Sequence, residues 1–490
     1  MPTITSTWTE LIQQFFSVFT APGAEIFLRL TVGWVLCTAR RTITGILPFA
    51  DPHGRHAHDA YHRFFPDGCW QMERLWQGLA VLLVNILCPK EVLTVALDDT
   101  LFHHSGRKME GAGCWRDAVR STARHVVYAW GLNLVVLTLQ VQPPWGGQPL
   151  GLPINMRLHR KKEQTLIELA KQMIQEVKEW FPERPLRVVA DGFYACLAGR
   201  MPDNTVVISR IKRNAKLFDL APQRKQKRRG RPRTKGRRLP CPENMAASVR
   251  DWKRVKFRQR GKWVERLVYT RQVLWYAVCR KPILLVISRD PEGREKDDFF
   301  FSTDVTMDAK TVLECYGDRW DIEDTFKNTK QLLGGQEPQT WKRQGPERAA
   351  AMSLWLYAMV WLWYLKRPAA KRWFCVRPWQ RHKTTPSFAD ALACLRYELW
   401  QDRIISMFGK SVVHDKKFVT VHGYFEGIEQ RTQSQNTLFN AKDFSILKAG
   451  CQNFSQVKNY IRPIKVMAFY VRMNIDWKKR TILYSRNHPA

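Results

Sequence analysis

The amino-acid sequence predicts a mixed α/β fold, and three observations lead to that prediction. Apolar runs of strand type recur at residues 91–97, 126–141, 152–158 and 186–190. Between the last two, residues 161–180 carry apolar side chains at helical spacing, so one helix face is apolar. After residue 302 the pattern turns helical and remains so to residue 365.

The order of these segments narrows the fold class. Residues 126–141 are long enough for two paired strands, and residues 152–158 add a third. Three strands, a helix and a further strand form the opening order of a ribonuclease-H-like mixed sheet. Strand-like runs at 205–211 and within 249–288 then predict a β-rich insertion before the later helices. Residues 1–90 are predicted to be helical, because Trp8, Leu11, Phe15 and Phe19 follow helical spacing.

The net charge of the chain indicates a polyanionic partner. Seventy-nine Lys and Arg residues against 44 Asp and Glu residues give +35 at neutral pH. Residues 210–238 carry a net charge of +13 and residues 366–490 a net charge of +15, which leaves +7 for the rest. Such an excess favours nucleic acid first and an anionic membrane surface second.

One apolar segment decides whether a membrane must be considered. Residues 349–365 have no charge, which is at the lower limit for a membrane-spanning helix. Their Trp and Tyr side chains are not confined to the segment ends, so we predict a buried helix and no membrane partner. No signal peptide is evident, and eleven dispersed cysteines without a C-x-x-C pair fit a reducing cytoplasm.

The strongest local motif lies at residues 316–330. On a single helix, Tyr316, Arg319, Glu323 and Lys330 would fall in one narrow stripe, at 100° per residue. The alternative is a solvated face held by pairs such as Arg319–Glu323 and Glu323–Lys327. Each such pair contributes a few tenths of a kcal/mol.

Two aspartates favour a catalytic interpretation of that motif. Asp98 and Asp191 each follow a predicted buried strand, and strand ends of mixed sheets commonly hold functional groups. Together with Glu323 they offer oxygen ligands for a pair of Mg²⁺ ions, which activate a nucleophile and stabilise a leaving oxygen at a phosphodiester. Each aspartate alone would more often be a cap or a turn residue.

With these residues in place, the sequence resembles the DDE transposases of bacterial insertion sequences, in the branch marked by Y-x2-R-x3-E-x6-K. Tyr316, Arg319, Glu323 and Lys330 match that spacing. Asp98 and Asp99 lie in a phrase similar to the first-aspartate region of the family, and Asp191-Gly-Phe-Tyr resembles the second. The resemblance covers at least residues 90–335.

The resemblance implies a role for each matched residue. Asp98, Asp191 and Glu323 would form the catalytic triad and bind Mg²⁺, for which Mn²⁺ can substitute; Asp99 is the alternative to Asp98. Tyr316, Arg319 and Lys330, with Lys327 beside them, would contact transposon-end DNA. In some members a Trp of the inserted β-domain occupies the site of a flipped base, and three tryptophans are candidates here: Trp252, Trp263 and Trp275.

The basic block adds further DNA-binding candidates. Arg229, Arg231 and Arg233 surround an Arg-Gly-Arg-Pro sequence of AT-hook type, which suits a narrow A·T-rich minor groove. The alternative is a disordered loop that binds phosphates without reading sequence. Either interpretation predicts DNA binding that weakens steeply with salt.

Taken together, the sequence predicts a cut-and-paste DNA transposase in the bacterial cytoplasm, associated with the nucleoid. It would bind terminal inverted repeats as a homodimer, cleave them and join the ends to target DNA. A standalone nuclease such as a junction resolvase, and a DNA-binding protein with an inactive catalytic fold, are the alternatives.

Five regions follow from this interpretation. Residues 1–90 would form a helical DNA-binding region, and residues 91–211 the first part of the catalytic core. Residues 212–300 would form the inserted β-rich basic domain, and residues 301–365 the second part of the core, with Glu323. Residues 366–490 would serve DNA binding and dimerisation.

Overall fold

A computed structural model describes residues 7–89, 92–122, 124–222, 233–376 and 379–408. The chain divides into two units, residues 1–408 and residues 409–490, and the description concerns the first. Arg229, Arg231 and residues 409–490 of the predicted C-terminal region lie outside the described residues.

Five helices make up the N-terminal part of the fold. Their apolar faces are buried together, and threonine side chains cap two of them: Thr20 accepts from the amide of Gly23, and Thr42 from that of Gly45. The helices are α1 (Thr7–Gln13), α2 (Ala21–Leu36), α3 (Ile43–Ala50), α4 (His58–Phe64) and α5 (Met72–Leu87).

A ten-stranded mixed sheet follows, in the order β2-β3-β1-β5-β6-β10-β9-β8-β7, with β4 paired to β3. The strands of its first half are β1 (Leu93–His103), β2 (Gly113–Arg116), β3 (Tyr128–Val141), β4 (Leu150–His159), β5 (Leu186–Ala190) and β6 (Thr205–Arg210). Those of the second half are β7 (Lys253–Gln259), β8 (Lys262–Val273), β9 (Ile283–Arg289) and β10 (Asp298–Ser302). The fold is therefore mixed α/β, as the sequence predicts.

Strand directions divide the first half of the sheet into two parts. β3 runs antiparallel to both β1 and β4, whereas β5 is parallel to both β1 and β6. Helix α6 (Leu166–Trp180) joins the two parts, and its start is fixed by a capping box between Thr165 and Glu168. The interpretation of residues 126–141 as two strands is wrong, because these residues form the single strand β3, whose central side chains are buried.

Six further helices complete the described part of the chain: α6, α7 (Pro242–Ser248), α8 (Ala309–Asp318), α9 (Asp321–Leu332), α10 (Gly345–Lys366) and α11 (Phe388–Phe408). Helix α10 carries the uncharged segment 349–365 and is buried on all sides except at its C-terminal end. The prediction of a buried helix there is confirmed. Among the residues described, no helix is long and apolar enough to cross a membrane.

Arg348 ties α10 to the N-terminal helices. Its guanidinium is 6% exposed and donates to the carbonyls of Phe65 (3.0 Å), Gly68 (2.9 Å) and Trp70 (2.5 Å). The same group lies 4.3 Å from the centre of the Trp70 ring. One buried side chain thus satisfies three carbonyls of the segment between α4 and α5.

Candidate active site

Asp98 and Asp191 lie at the same level of two neighbouring parallel strands. The last parallel pair between β1 and β5 is Leu97 with Ala190, and each aspartate is the next residue. Asp191 follows the end of its strand, whereas β1 continues through Asp98 to His103 beside β3. The prediction that β1 ends before the aspartates is therefore wrong. The parallel pairing of β1 with β5 nevertheless ends at Leu97 and Ala190, so Asp98 has no paired residue in β5.

Asp98 is held by an ion pair with Arg319. The guanidinium Nη1 donates to Asp98 Oδ2 at 2.6 Å, and the two side chains are only 7% and 16% exposed. Burial raises the pKa of Asp98 to about 7 despite the opposing charge of Arg319. The negative charges of Asp191, Asp99 and Glu323 act in the same direction as burial. These four carboxylates therefore share one electrostatic environment.

Asp99 has a different partner on the other face of the strand. The hydroxyl of Tyr194 donates to Asp99 Oδ1 at 3.1 Å, and burial raises the pKa of Asp99 above its usual range. Tyr194 is positioned by Asp191, whose Oδ1 accepts from the amide of Phe193 at 2.9 Å in a tight turn. The Asp191-Gly-Phe-Tyr sequence thus links the two aspartate regions through a tyrosine that the sequence interpretation gave no role.

The predicted single helix at residues 316–330 is two helices. Arg319 and Trp320, between α8 and α9, keep helical backbone angles. However, the amides of Ile322 and Glu323 bond to carbonyls three residues earlier, as in a 3₁₀ turn. The prediction of one continuous stripe is therefore wrong. Arg319 lies in the turn between the helices and not in the middle of a helix face.

Side chains of this segment still meet one face of β1. Alternate residues of the strand, Asp98, Thr100 and Phe102, point to the same side of the sheet. Arg319 binds the first, and Lys330 donates to Thr100 Oγ1 at 2.7 Å, with its ammonium 5.7 Å from the Phe102 ring. Burial lowers the pKa of Lys330, while the charges of Asp117 and Glu323 oppose that shift. Glu323 is half-buried in the first turn of α9.

Tyr316 packs behind Arg319. Its ring lies 5.4 Å from the Arg319 guanidinium, 5.7 Å from that of Arg210 and 4.6 Å from the ring of Phe300. Burial raises the pKa of its hydroxyl, and the two arginines oppose the rise. Arg210, at the end of β6, was not singled out by the sequence, since nothing in its surroundings marks it as different from the basic block that follows.

Two other residues predicted to contact DNA have exposed side chains. Lys327 is exposed on α9, and Arg233 is exposed in the chain segment that precedes α7. Arg229 and Arg231 fall outside the described residues. Asp219, the one acid of the basic block, accepts from Arg237 at 2.9 Å and from Arg271 of β8 at 2.6 Å, which anchors the block to the sheet.

The three candidate tryptophans differ sharply in exposure. Trp275 is 7% exposed and packs edge-on against Phe301, and Trp252 is covered by the guanidinium of Arg289 at 4.3 Å. Trp263 of β8 is 58% exposed, with Lys256 and Arg258 of β7 at 5.8 and 5.4 Å from its ring. Of the three, Trp263 alone offers an accessible ring face flanked by cations.

A second group of carboxylates lies behind the turn between α8 and α9. Burial raises the pKa of Asp318 to about 7 and that of Asp321 to about 8. Gln148, from the loop between β3 and β4, donates to Asp321, and Arg260 at the tip of the β7–β8 hairpin stacks on Trp320 at 4.1 Å. These contacts hold the turn that carries Arg319. They join residues far apart in sequence, so no local pattern reveals them.

The carboxylates of the site match the ligands of a divalent cation in chemical type but not in position. In kind they fit, because divalent cations such as Mg²⁺ prefer oxygen ligands, and Asp191 and Glu323 lie close enough to Asp98 and Asp99 to raise the pKa values of those two carboxyls. In position they do not yet fit, because within the described ranges no three His, Cys, Asp or Glu side chains lie close enough together to hold one ion. One oxygen of Asp98 is taken by Arg319. The other oxygen, Oδ1, accepts from the amide of Asp99 at 2.9 Å, so each oxygen of Asp98 already has a hydrogen-bond donor.

Carboxylates gathered where two parallel strands stop pairing, beside half-buried cations, are an arrangement typical of enzymes that act on phosphodiesters. A family model described as DDE superfamily endonuclease matches residues 14–281, which is more than half of the chain. The protein therefore belongs to the DDE superfamily endonucleases. The matched range includes Asp98 and Asp191 and ends before Glu323.

Comparison with other proteins adds little to this assignment. No curated protein matches the sequence significantly. Among solved structures, the chain is similar to the piggyBac transposase seen by cryo-EM in a synaptic complex with hairpin DNA, at 10% identity and a TM-score of 0.31. The alignment covers 71% of this chain and 59% of that one. A likeness this distant does not establish a shared activity.

Proposed function

We propose that the protein is a DNA transposase that cuts and joins DNA strands with the carboxylate set Asp98, Asp191 and Glu323. The observation that carries the proposal is the level position of Asp98 and Asp191 on parallel strands, facing the segment that bears Arg319 and Glu323. Membership of the DDE superfamily endonucleases supports it. The finer assignment, to the insertion-sequence branch with the Y-x2-R-x3-E-x6-K motif, rests on Tyr316, Arg319, Glu323 and Lys330.

The proposal includes a ribonuclease-H-like core. Leaving out the short strand β2, the first half of the sheet has the order β4-β3-β1-β5-β6, in which β3 is antiparallel to β4 and β1, and β5 is parallel to β1 and β6. Helix α6 connects the antiparallel and parallel parts. This order places the first carboxylate on the central strand and the second on its parallel neighbour, which is the arrangement the chemistry needs.

Asp98, Asp191 and Glu323 would hold Mg²⁺, with Mn²⁺ as a substitute. Bound ions would activate water or a 3′-hydroxyl and stabilise the leaving oxygen of the phosphodiester. Asp98 is preferred over Asp99 because it shares a strand face with Thr100, where Lys330 binds, and because Arg319 reaches it directly. Asp99 points to Tyr194.

The cations of the site would orient the DNA. Arg319 lies against the first carboxylate, so a phosphate brought to that carboxylate would meet the guanidinium in a desolvated place, where charge-assisted hydrogen bonds are strong. Tyr316 fixes the guanidinium from behind. Lys327, exposed one helical turn after Glu323, would contact the backbone farther along the strand.

The proposed partners are terminal inverted repeats and target DNA, bound by two copies of the chain. The five predicted regions, from residues 1–90 to residues 366–490, are proposed with it. Arg229, Arg231 and Arg233 would bind DNA beside the core. Their net charge is the sequence feature that supports this assignment.

The test uses the whole chain, a duplex carrying the DNA that borders its gene, a supercoiled plasmid and Mg²⁺ or Mn²⁺. We expect nicking at one end of the element and covalent transfer of that end to the plasmid. Glu323→Gln and Asp191→Asn should abolish both products, and Asp324→Asn, an exposed neighbour on the same helix, should retain them. Cleavage without transfer would indicate a standalone nuclease, and binding without cleavage a non-catalytic DNA-binding protein.

A further inference from the structure

A second cationic surface lies at the tip of the β2–β3 hairpin. Arg116 and Arg120 are exposed there, and so are three apolar side chains: Val119 at 88%, Tyr128 at 65% and Val126 at 47%. Arg116 and Tyr128 are paired across the two strands. None of these residues belongs to the carboxylate set or to the motif at residues 316–330.

The tip is built to hold this arrangement. Asp117 is 2% exposed, and its Oδ1 accepts from the amides of Val119 (3.1 Å) and Arg120 (3.2 Å). Its Oδ2 pairs with His103 Nε2 at 2.8 Å and with Nε of the exposed Arg120 at 3.4 Å, and its carbonyl accepts from the amide of Ser121 at 3.0 Å. A buried carboxylate therefore fixes a single turn on which Val119 protrudes. The apolar side chain is exposed by a defined structure and not by fraying.

The position of the tip relative to the carboxylates follows from strand register. Val136 of β3 pairs with Asp98, and Tyr128 of the same strand pairs with Arg116, eight residues farther along. At roughly 3.3 Å per residue the tip lies about 26 Å beyond Asp98 in the direction of β1. That distance equals about eight base pairs of duplex DNA, at about 3.4 Å each.

We propose that this tip, formed by Arg116, Val119, Arg120 and Tyr128, binds the minor groove of duplex DNA that flanks the phosphodiester at the carboxylates. The proposal rests on the proposed function, and it adds a second, separate contact with the same substrate. Minor-groove proteins combine arginines with an apolar side chain that presses between base pairs. Arg116 and Arg120 on either side of a protruding Val119 provide that combination.

A protein partner fits the tip less well. Stable protein interfaces bury roughly 800 Å² on each side, usually with an apolar centre and a polar rim. The tip offers four side chains on a narrow turn, and two of the four are arginines that lie on either side of Val119. Such a surface suits a groove lined by phosphates.

The experiment measures binding of the full chain to a 40-base-pair duplex by fluorescence anisotropy over a range of salt concentrations. Arg116→Gln/Arg120→Gln should weaken binding by about tenfold and reduce the salt slope by about two, since each phosphate contact contributes about 0.9. Val119→Ser should weaken binding several-fold without changing the slope, because it removes no charge. Lys171→Gln, an exposed lysine on α6, is the control and should bind as the unaltered chain does.

A photocrosslinking amino acid at position 119 gives a second readout that does not depend on affinity. Crosslinks should fall in the minor groove, about eight base pairs from the cleaved bond. Unchanged affinity and slope in both tip variants, or no crosslink from position 119, would overturn the proposal. If the chain cleaves and transfers DNA while the tip variants behave as the control, the tip assignment alone fails. If the tip crosslinks DNA that is never cleaved, the transposase assignment alone fails.

Discussion

Arg319 and Asp98 form a nearly buried ion pair, with Nη1 2.6 Å from Oδ2, at the place where a cation would be held. The arginine thus occupies a carboxylate oxygen that the proposed chemistry needs. DNA offers phosphates that could take over the guanidinium and release Asp98. In this arrangement, binding of DNA and binding of metal would favour each other.

Replacing Arg319 by Gln should therefore strengthen binding of Mn²⁺ to the DNA-free chain by at least about tenfold, since a unit charge this close contributes more than the roughly 1.4 kcal/mol that a tenfold change requires. Arg319 lowers the pKa of Asp98, so its removal raises that pKa. The comparison is therefore made over a range of pH, because protonation of Asp98 competes with the metal at a higher pH in the variant than in the unaltered chain. Titration of free Mn²⁺ by electron paramagnetic resonance measures the change.

The same variant should cleave DNA poorly, because the guanidinium is also the proposed phosphate contact. Lys171→Gln is a suitable control, since this lysine is exposed on α6 and lies outside the basic block. Equal Mn²⁺ affinity in Arg319→Gln and in the unaltered chain would show that the ion pair does not restrict the site.

The two adjacent aspartates should respond differently to substitution. Asp98→Asn removes a proposed ligand and the charge that pairs with the buried Arg319 guanidinium, so metal-dependent cleavage should be lost and stability should fall as well. Asp99→Asn alters the acceptor of the Tyr194 hydroxyl and should mainly lower stability, by about 1 kcal/mol. Cleavage assays paired with denaturant midpoints distinguish the two. If Asp99→Asn abolished cleavage and Asp98→Asn did not, Asp99 and not Asp98 would be the metal ligand.

Local patterns account for much of the fold. The order of β1, β3, β4, α6 and β5 follows from apolar runs and one amphipathic segment, because burial imposes those periods directly on the sequence. The length of β3 was misjudged, since a long run buried on both faces has no internal mark that separates one strand from two. β2 was missed because its four residues are half exposed and alternate only briefly.

The site was predictable where chemistry depends on residue type, and not where it depends on packing. Asp98, Asp191 and Glu323 stay a predicted ligand set: the sequence marks them as carboxylates after apolar runs and in a motif, although Asp98 lies inside β1 and not at its end. The turn at Arg319 is not marked by the sequence, because Trp320 and Asp321 are held there by Arg260 and Gln148 from distant loops. The bond from Tyr194 to Asp99 likewise exists only once β1 and β5 lie side by side.

Substitution of the exposed Trp263 should affect DNA binding, whereas substitution of the buried Trp275 should affect stability. Trp263→Ala should leave the denaturant midpoint nearly unchanged and weaken DNA binding, because its accessible ring between two cations can stack on a base. Trp275→Ala should destabilise the fold by about 3 kcal/mol or more, since it empties a core position against Phe301. Anisotropy and denaturation of both variants test the pair; unaltered DNA affinity in Trp263→Ala would exclude it as a contact.

Arg348 should be essential to the docking of the N-terminal helices on α10. Arg348→Leu leaves the carbonyls of Phe65, Gly68 and Trp70 without their donor, at a cost of about 3 kcal/mol or more. Arg343→Gln, where the side chain is 71% exposed, should change stability by less than about 0.5 kcal/mol. Denaturant midpoints followed by tryptophan fluorescence give both values. Equal midpoints would show that the three bonds contribute little.

His104 should make stability depend on pH in a defined window. It is a largely buried histidine whose Nε2 has no hydrogen-bond partner, and burial, with the neighbouring charge of His103, lowers its pKa to about 4. As pH falls below about 6.5, His104 of the unfolded chain binds a proton, whereas His104 of the folded chain binds one only near pH 4. The free energy of unfolding therefore falls as pH decreases across that interval. The loss is at most about 3 kcal/mol, at about 1.4 kcal/mol per pKa unit. His104→Phe should flatten the decline in melting temperature between these pH values, whereas His382→Gln, at an exposed histidine, should not. Parallel declines in all three proteins would mean that His104 is protonated as readily in the folded chain as in the unfolded one.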